Sequence, residues 1–418
     1  MKKTLIICNH YPLPENVGTN IRTMNFVRFF LNHGTVDIAY SYMLPGSKTG
    51  NPVFRNEYLL NRESCRTFAE RLKRWAVIGS RPLPIPRNDD ASERLIMSVM
   101  ESNKYDYILV RYVLNTWTIF KLKEEDRMKT IVDFDDILSG SLYDSSVDSA
   151  RGLLRKMRLR MNRPLLVNYE KKCLNFGASL FCSEKDRALF VNGNRASNAS
   201  VVPNIYHNDS FDGYDFGDGF LSVHRLLFVG GLMYRPNVEG LTWFVETVFP
   251  RFKRKYPEAK LLLVGHSPAP EIKKMSKSVD GIELHPDVPD IREYYKQSSA
   301  LVVPLLSGGG TRIKILEAAL AGRPVLSTPI GAEGLDMVPD RDLLLFENGD
   351  GFLSQYGKLL ERDAYDSLVD NSRKVASTKY SPQRFYGDME KVLSRIDRNR
   401  GNAPLRPHVS GVRAKSER

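Results

Sequence analysis

The sequence predicts an α/β protein built from two doubly wound domains. Its 418 residues exceed the roughly 250–300 at which a single hydrophobic core stops growing. In each half of the chain, short apolar strand-like runs alternate with helical stretches, which is the pattern of a parallel sheet covered by helices. A polar, glycine-bearing stretch at 205–221 separates the halves and is typical of a hinge. Length, alternation and this break together predict two domains.

Both halves space their strand-like runs as a Rossmann-like sheet does. In the first half the runs are 4–8, 36–42, 107–111, 130–134, 179–182 and 200–203, with a helix at 21–33. In the second half they are 225–229, 260–264, 300–304, 324–327 and 343–346, with helices at 237–255 and 313–321. Such sheets bind ligands beyond the carboxyl ends of their strands, so a site is expected in the loops that follow the strands.

Composition favours a globular protein of a reducing compartment. Hydrophobic residues make up 42% of the chain and charged residues 26%. No apolar run approaches the roughly 20 residues needed to cross a bilayer. The first apolar run stops at Asn9, so it predicts a buried strand rather than a secretory signal. The cysteines show no metal-binding spacing and predict reduced thiols in a cytosolic protein; they are Cys8, Cys65, Cys173 and Cys182.

The positive charge of the chain is unevenly distributed. The net charge is +12, and residues 1–206 contain 31 Lys and Arg against 21 Asp and Glu. The most basic stretch runs from Arg151 to Lys172, mixes cations with leucine and methionine, and is expected to be interrupted by Pro164. It is either an ordinary exposed helix or a surface for anionic membrane lipids. No helix-turn-helix, zinc or RNA-binding signature accompanies the charge, so a nucleic-acid partner is not expected.

The segment 307–312, called the glycine loop below, carries the strongest functional signal. Its three glycines at 308–310 let the backbone approach a ligand closely. The helix that follows offers unpaired N–H groups and the positive end of its dipole. Arg312 and Lys314 add two charges near the first turn. The pattern indicates a diphosphate site; the alternative is a tight turn whose two cations face solvent.

These residues belong to a longer pattern that resembles glycosyltransferase family 4. Residues 308–318 are followed by matching segments at 322–325 and 331–335, and others lie at 228–231, 288–291 and 201–204. The resemblance implies the GT-B fold, with two facing Rossmann-like domains and a C-terminal crossover helix. The expected parts are an acceptor-binding domain (1–206), a nucleotide-sugar-binding domain (207–380), the crossover helix (381–398) and a basic, disordered tail (399–418).

The resemblance also implies an activity and a set of site residues. Family members are retaining transferases that move a sugar from a nucleotide-diphosphate-sugar to a hydroxyl of a glycan or lipid-linked acceptor, without a metal or other cofactor. Arg312 and Lys314 would stabilise the departing phosphate, and Glu317 would accept hydrogen bonds from the ribose. The other residues expected to contact the donor are Gly18, Asn20, Gly230, Gly231, Val288, Gly308, Gly309, Gly310 and Thr311. The expected setting is surface polysaccharide or glycoconjugate assembly, in the cytoplasm or on the inner face of its membrane.

One departure from the family's pattern matters most. Members often carry two glutamates eight residues apart, the second matching Glu317, and the first would fall at Gly309. The carboxylate that usually contacts the donor sugar is therefore missing. The missing carboxylate leaves a catalytically silent homologue as an alternative function. A nucleotide-sugar epimerase of the same fold is a second alternative.

An acidic cluster follows the strand at 130–134. Asp133, Asp135 and Asp136 resemble the DxD metal motif of the other large glycosyltransferase fold, but a one-domain fold with an N-terminal donor site does not suit the glycine loop. Asp135 or Asp136 is expected to orient the acceptor or help remove its proton; capping of a following helix is the alternative. Arg22 is predicted either to reach a phosphate or to face solvent.

Overall fold

The computed structural model describes residues 1–15, 17–43, 47–60, 90–116, 118–140, 153–191, 198–206, 211–220 and 224–401. Several predicted features therefore lie outside the described residues, wholly or in part. They are Cys65, Arg151, most of the tail and part of the hinge. Two parallel sheets organise the described chain, which confirms the predicted α/β fold class.

The first sheet has seven parallel strands in the order β3-β2-β1-β4-β5-β6-β7. They are β1 Lys2–His10, β2 Gly34–Tyr42, β3 Asn56–Leu59, β4 Tyr107–Arg111, β5 Thr130–Asp133, β6 Ala178–Phe181 and β7 Ala199–Val201. The helices of this half are α1 Gly18–Leu31, α2 Asp90–Ser102, α3 Glu124–Met128, α4 Leu153–Lys172 and α5 Glu184–Val191, with short 3₁₀ turns at Val113–Asn115, Thr118–Lys121 and Cys173–Asn175.

The second sheet has six parallel strands in the order β10-β9-β8-β11-β12-β13. They are β8 Arg225–Val229, β9 Lys260–Gly265, β10 Ile282–Pro286, β11 Ala300–Val303, β12 Val325–Ser327 and β13 Leu344–Leu345. The helices are α6 Arg235–Trp243, a π-turn at Phe244–Val248, α7 Phe249–Lys255, α8 Pro270–Ser278, α9 Arg292–Lys296, α10 Ile313–Leu320, α11 Gly349–Lys358 and α12 Arg362–Lys379.

Sequence reasoning missed two strands, β3 and β10, and both lie at sheet edges. The central strand β4 is buried along its whole length, so its apolar run stands out. In contrast, β3 has no buried residue and β10 has one. An edge strand packs less of its surface than a central one, so its sequence does not need the apolar run by which strands are recognised.

Two helix predictions need correction. The helix predicted at 237–255 begins earlier, at Arg235, and contains a π-turn at Phe244–Val248. Pro250, just after that turn, lacks the N–H that a regular helix would use there. The predicted interruption at Pro164 is wrong, because α4 continues through it. Pro164 and Arg160, whose carbonyl loses its partner, are both exposed, so water can satisfy that carbonyl.

A C-terminal helix, α13 (Pro382–Asn399), returns to the first half of the chain, as the fold prediction required. Its apolar face is buried, and the Phe385 ring lies 5.1 Å from that of Phe26 on α1. The Tyr107 hydroxyl donates to Asp397 Oδ2 at 2.7 Å. These contacts join the end of the chain to the first sheet. No helix within the described ranges is long and apolar enough to cross a membrane.

Candidate functional site

The glycine loop lies at the carboxyl end of β11, a strand in the middle of the second sheet. Gly308 and Gly310 have φ values of 120° and 69°, which a side chain would strain. Helix α10 starts directly afterwards at Ile313. The backbone therefore turns from strand to helix with its N–H groups at the strand end, where doubly wound sheets bind ligands.

Arg312 stabilises the glycine loop by hydrogen bonds and has further donors that are not engaged. Its Nη1 donates to the carbonyls of Gly309 and of Gly310, the latter at 2.8 Å. Its Nε and Nη2 are buried without a hydrogen-bond partner. Buried donors without partners are rare in folded proteins because they cost free energy. Arg312 is thus arranged to receive an anionic or hydroxylic ligand.

Lys314 lies beside Arg312 in a largely apolar setting. Its Nζ is 4.0 Å from the centre of the Phe228 ring and 3.4 Å from Asn237 Oδ1. Burial, followed by the nearby charge of Arg312, lowers the pKa of Lys314 to about 7. A side chain at Gly230 would begin 2.8 Å from Lys314 Nζ, so it would displace the ammonium group from its present position.

Glu317 lies one turn further along α10 and is 7% exposed. Its Oε2 accepts a hydrogen bond from the Tyr295 hydroxyl at 3.1 Å, and Tyr206 bonds to the same carboxyl group. Burial raises the pKa of Glu317 to about 7. The structure therefore shows a carboxyl group held by two tyrosines, and its contact with a ribose stays a prediction.

Sequence reasoning missed Tyr234, which lies near the charge of Arg312, and His266, which lies beside Gly231. His266 directly follows β9, and its ring is 3.4 Å from where a Gly231 side chain would begin. Its Nε2 is buried without a partner. The pKa of Tyr234 is raised by burial and by Asp136. The position of His266 at a strand end was the available signal.

Val288, in the loop after β10, is partly buried against the hydrophobic core.

Asp135 and Asp136 are neighbours in the chain but have different electrostatic surroundings. Asp135 has φ of 56° and lies 3.1 Å from Arg111 Nη2 and 3.7 Å from Arg22 Nε. Burial opposes ionisation there, but the two arginines hold the pKa of Asp135 below its usual value. In contrast, burial and the charge of Asp135 raise the pKa of Asp136 to about 7.

Asp136 reaches the glycine loop from the other domain. Its Oδ1 is buried without a hydrogen-bond partner, and it lies 2.5 Å from where a Gly310 side chain would begin. Residues 137–140 form a turn, so the described residues after Asp136 give no helix for it to cap. The carboxylate of Asp133, one of the predicted metal ligands of the DxD motif, is paired instead with Arg22 and Arg111. Within the described ranges no cluster of three or more His, Cys, Asp or Glu could hold a metal ion.

Three residues predicted near the site, Gly18, Asn20 and Arg22, lie on the first turns of α1, which begins at Gly18 rather than at the predicted residue 21, and their surroundings differ. Gly18 faces α10, since its side chain would begin 3.4 Å from Ile313 Cδ1. Asn20 is 1% exposed and donates to the Pro14 carbonyl at 2.9 Å, so it shapes the loop from inside. Both interpretations of Arg22 are wrong. Arg22 is 1% exposed, so it does not face solvent. Its guanidinium group is paired with the buried carboxylate of Asp133 and is not placed to bind a phosphate.

A separate cavity of about 400 Å³ lies between residues 211–219 and helix α12. The buried Arg323 in its wall donates to the carbonyls of Tyr295 and Gly322. None of the described lining side chains has a buried polar atom without a partner. The glycine loop, in contrast, has such atoms in Ser307, Arg312 and the facing Asp136, and we place the candidate site there.

The family comparison matches this part of the chain. Residues 223–362 match the family described as Glycosyl transferases group 1. This segment is similar to group 1 glycosyltransferase domains. It contains the glycine loop, Lys314 and Glu317, and it confirms the prediction of a glycosyltransferase. Assignment to family 4 within this group stays a prediction.

Relatives and solved structures match nearly the whole chain. A Klebsiella pneumoniae protein described as an uncharacterized 44.6 kDa protein in the cps region is 23% identical over 415 residues, covering 95% of this chain and 99% of its own. Sucrose-phosphate synthase from Thermosynechococcus elongatus has a TM-score of 0.68 at 16% identity, covering 96% of this chain and 100% of its own. Anabaena HepE, solved in complex with UDP-glucose, has a TM-score of 0.63 at 11% identity, covering 94% and 99%. The structural matches establish that the chain has the GT-B fold.

Proposed function

We propose that the chain moves a sugar, with retention of configuration, from a nucleotide-diphosphate-sugar to a hydroxyl acceptor. Residues 207–380 bind the donor, residues 1–206 bind the acceptor, and transfer requires no metal. The observation that carries the proposal is the convergence of Arg312, with two buried unpartnered donors, and Lys314 on the glycine loop at a helix start. An anionic diphosphate supplies the acceptors that these groups lack.

The proposed chemistry breaks the bond from the anomeric carbon to the diphosphate oxygen and forms one to the acceptor oxygen. The acceptor approaches on the face from which the diphosphate departs, so no enzyme nucleophile is used. Arg312, Lys314 and the N–H groups of α10 stabilise the negative charge that develops on the diphosphate. Asp136, with a pKa of about 7, takes the acceptor proton. Asp135, ionised against Arg111, fixes its neighbour's position.

The relatives support the donor class and the setting. HepE was solved with UDP-glucose, and the Klebsiella pneumoniae relative is described as a protein in the cps region. We therefore place the activity in surface polysaccharide or glycoconjugate assembly, with UDP-sugars as the first donors to test.

A donor panel tests the proposal. The protein is incubated with several nucleotide-sugars, with and without a metal chelator, and release of nucleoside diphosphate is followed. We expect turnover of at least one donor in the presence of chelator. Binding of nucleotide without turnover of any donor supports the silent homologue that the missing carboxylate at Gly309 suggests. Conversion of the donor to another nucleotide-sugar supports the epimerase, and absence of any binding contradicts the main claim.

The affinity for donor is expected to weaken as the pH rises from 6 to 9. Below its pKa of about 7 Lys314 carries a charge that attracts the diphosphate, and above it the charge is lost. The loss approaches about tenfold per pH unit, because one proton is linked to binding. A nucleotide-sugar is the suitable probe, since its diphosphate diester does not titrate in this range. Calorimetry should show a much flatter profile for Lys314→Arg, and an equal slope in both proteins contradicts the assignment.

We propose that helix α4 binds the anionic inner face of the cytoplasmic membrane. Arg160, Lys171 and Lys172 are exposed on it. Each cation near such a surface contributes about 1 kcal/mol, so the Lys171→Gln, Lys172→Gln double variant is expected to bind anionic phosphatidylglycerol vesicles roughly 30-fold more weakly. The matched control is Lys273→Gln, Lys274→Gln on α8, also exposed. Equal co-sedimentation of the two double variants contradicts the proposal.

A further inference from the structure

Asn204 joins a buried ion network of the first domain to the glycine loop. It follows the last strand of the first sheet and is 4% exposed. Its Nδ2 donates to Thr311 Oγ1 at 2.6 Å, and its Oδ1 accepts from Arg22 Nη1 at 2.9 Å. Both polar atoms of its amide group are therefore engaged, one on each side of the domain junction.

The network behind Asn204 allows its amide little freedom. Arg22 Nη1 also donates to the Val202 carbonyl at 3.0 Å, and its Nε donates to Asp133 Oδ2 at 3.0 Å. Arg111 pairs with the same carboxylate. All these side chains are buried, so a rotation of Asn204 would remove one of the two acceptors of Arg22 Nη1 and leave it only the Val202 carbonyl. Fully satisfied buried networks of this kind are rigid.

The glycine loop, in contrast, has few side chains that can fix its conformation. Gly308, Gly309 and Gly310 contribute no side chains, and Thr311 is the next residue along. Thr311 is 8% exposed, and its methyl group lies 3.2 Å from where a Gly334 side chain would begin. The glycine loop thus ends at a side chain that is held on one side by packing and on the other by Asn204.

We propose that Asn204 is a positioning residue for the donor site. Through Thr311 it holds the glycine loop in the conformation that presents the loop N–H groups and Arg312 to the diphosphate, which rests on the function proposed above. Asn204, a residue of the first domain, then supports donor binding without touching the donor itself, and the site is complete only when the two domains are joined. Misplacement of a positioned group by about 1 Å costs up to about 10²-fold in rate.

Thr311 allows a test that leaves the ion network intact. Thr311→Val removes the hydroxyl with almost no change of shape, and Thr311→Ser is the matched control that keeps it. We expect Thr311→Val to lower kcat/KM for the donor roughly 10- to 100-fold, since it leaves the buried Asn204 amide unsatisfied. Thr311→Ser keeps the hydroxyl to which Asn204 donates, so it should lose much less than Thr311→Val. Equal losses in the two variants overturn the proposal.

Two further measurements separate positioning from simple stability. In a double-mutant cycle, Asn204→Ala and Thr311→Val together should cost no more than the larger single effect, because both remove the same bond. Multiplying effects contradict the proposal. Hydrogen exchange of the unliganded protein should be faster at amides 308–314 in Thr311→Val and unchanged in Thr311→Ser. Exchange requires no donor, so unchanged exchange defeats the positioning role, whereas the donor panel separately decides the proposed function.

Discussion

Replacing Lys314 by alanine is expected to lower kcat/KM for the nucleotide-sugar by about 10²- to 10³-fold, as loss of a group that stabilises a developing anion does. Lys314 Nζ lies in the cradle formed by Gly230, Phe228 and Asn237. The cradle holds the ammonium group away from bulk water, where its interaction with a diphosphate is strongest. Steady-state kinetics with the best donor of the panel measure the effect.

The matched control for this substitution is Lys274→Ala. Lys274 lies exposed on α8 in the same domain, so its removal changes the net charge equally without touching the glycine loop. It should leave kcat/KM within about twofold. Equal losses in the two variants would show that the overall charge of the domain attracts the donor. They would contradict a specific interaction of Lys314 with the diphosphate.

Asp133→Asn is expected to lower the free energy of unfolding by roughly 3–5 kcal/mol, the usual cost of breaking a buried ion pair. Arg22 and Arg111 are 1% and 0% exposed, and both pair with this carboxylate. Asparagine keeps the shape but leaves two buried cations with the charge of Asp135 alone. Urea denaturation, followed by a probe of the first domain, measures the change.

An exposed ion pair provides the comparison for that measurement. Asp366 pairs with Arg362 on α12, and both side chains are about half exposed. Asp366→Asn should change the free energy of unfolding by less than about 1 kcal/mol, because water replaces a surface ion pair almost completely. A small effect for Asp133→Asn, similar to that for Asp366→Asn, contradicts the structural role assigned to the network.

Local patterns in the sequence predicted most of the fold and the centre of the site. Strand β4 and strand β8 were predicted with their observed bounds because central strands are continuous apolar runs. The glycine loop was recognisable because its chemistry is contiguous: glycines, Arg312 and Lys314 stand within a few residues. The edge strands β3 and β10 lacked such a signal.

Features that depend on distant contacts could not be predicted. Asp135 and Asp136 look equivalent in the sequence. They differ because Arg22 and Arg111 form ion pairs with Asp135 and not with Asp136. The role of Asn204 likewise depends on Thr311, which lies 107 residues further along the chain. Arg22 was misjudged for the same reason, since its partner Asp133 is 111 residues away.

The most direct test of the central claim is a crystal structure with bound UDP-sugar or, failing turnover, UDP. We predict that the diphosphate lies at the start of α10, within hydrogen-bond distance of loop N–H groups, Arg312 and Lys314. Asp136 should then face the sugar side of the ligand. A nucleotide bound instead in the cavity beside Arg323, or a diphosphate that avoids Arg312 and Lys314, contradicts the account.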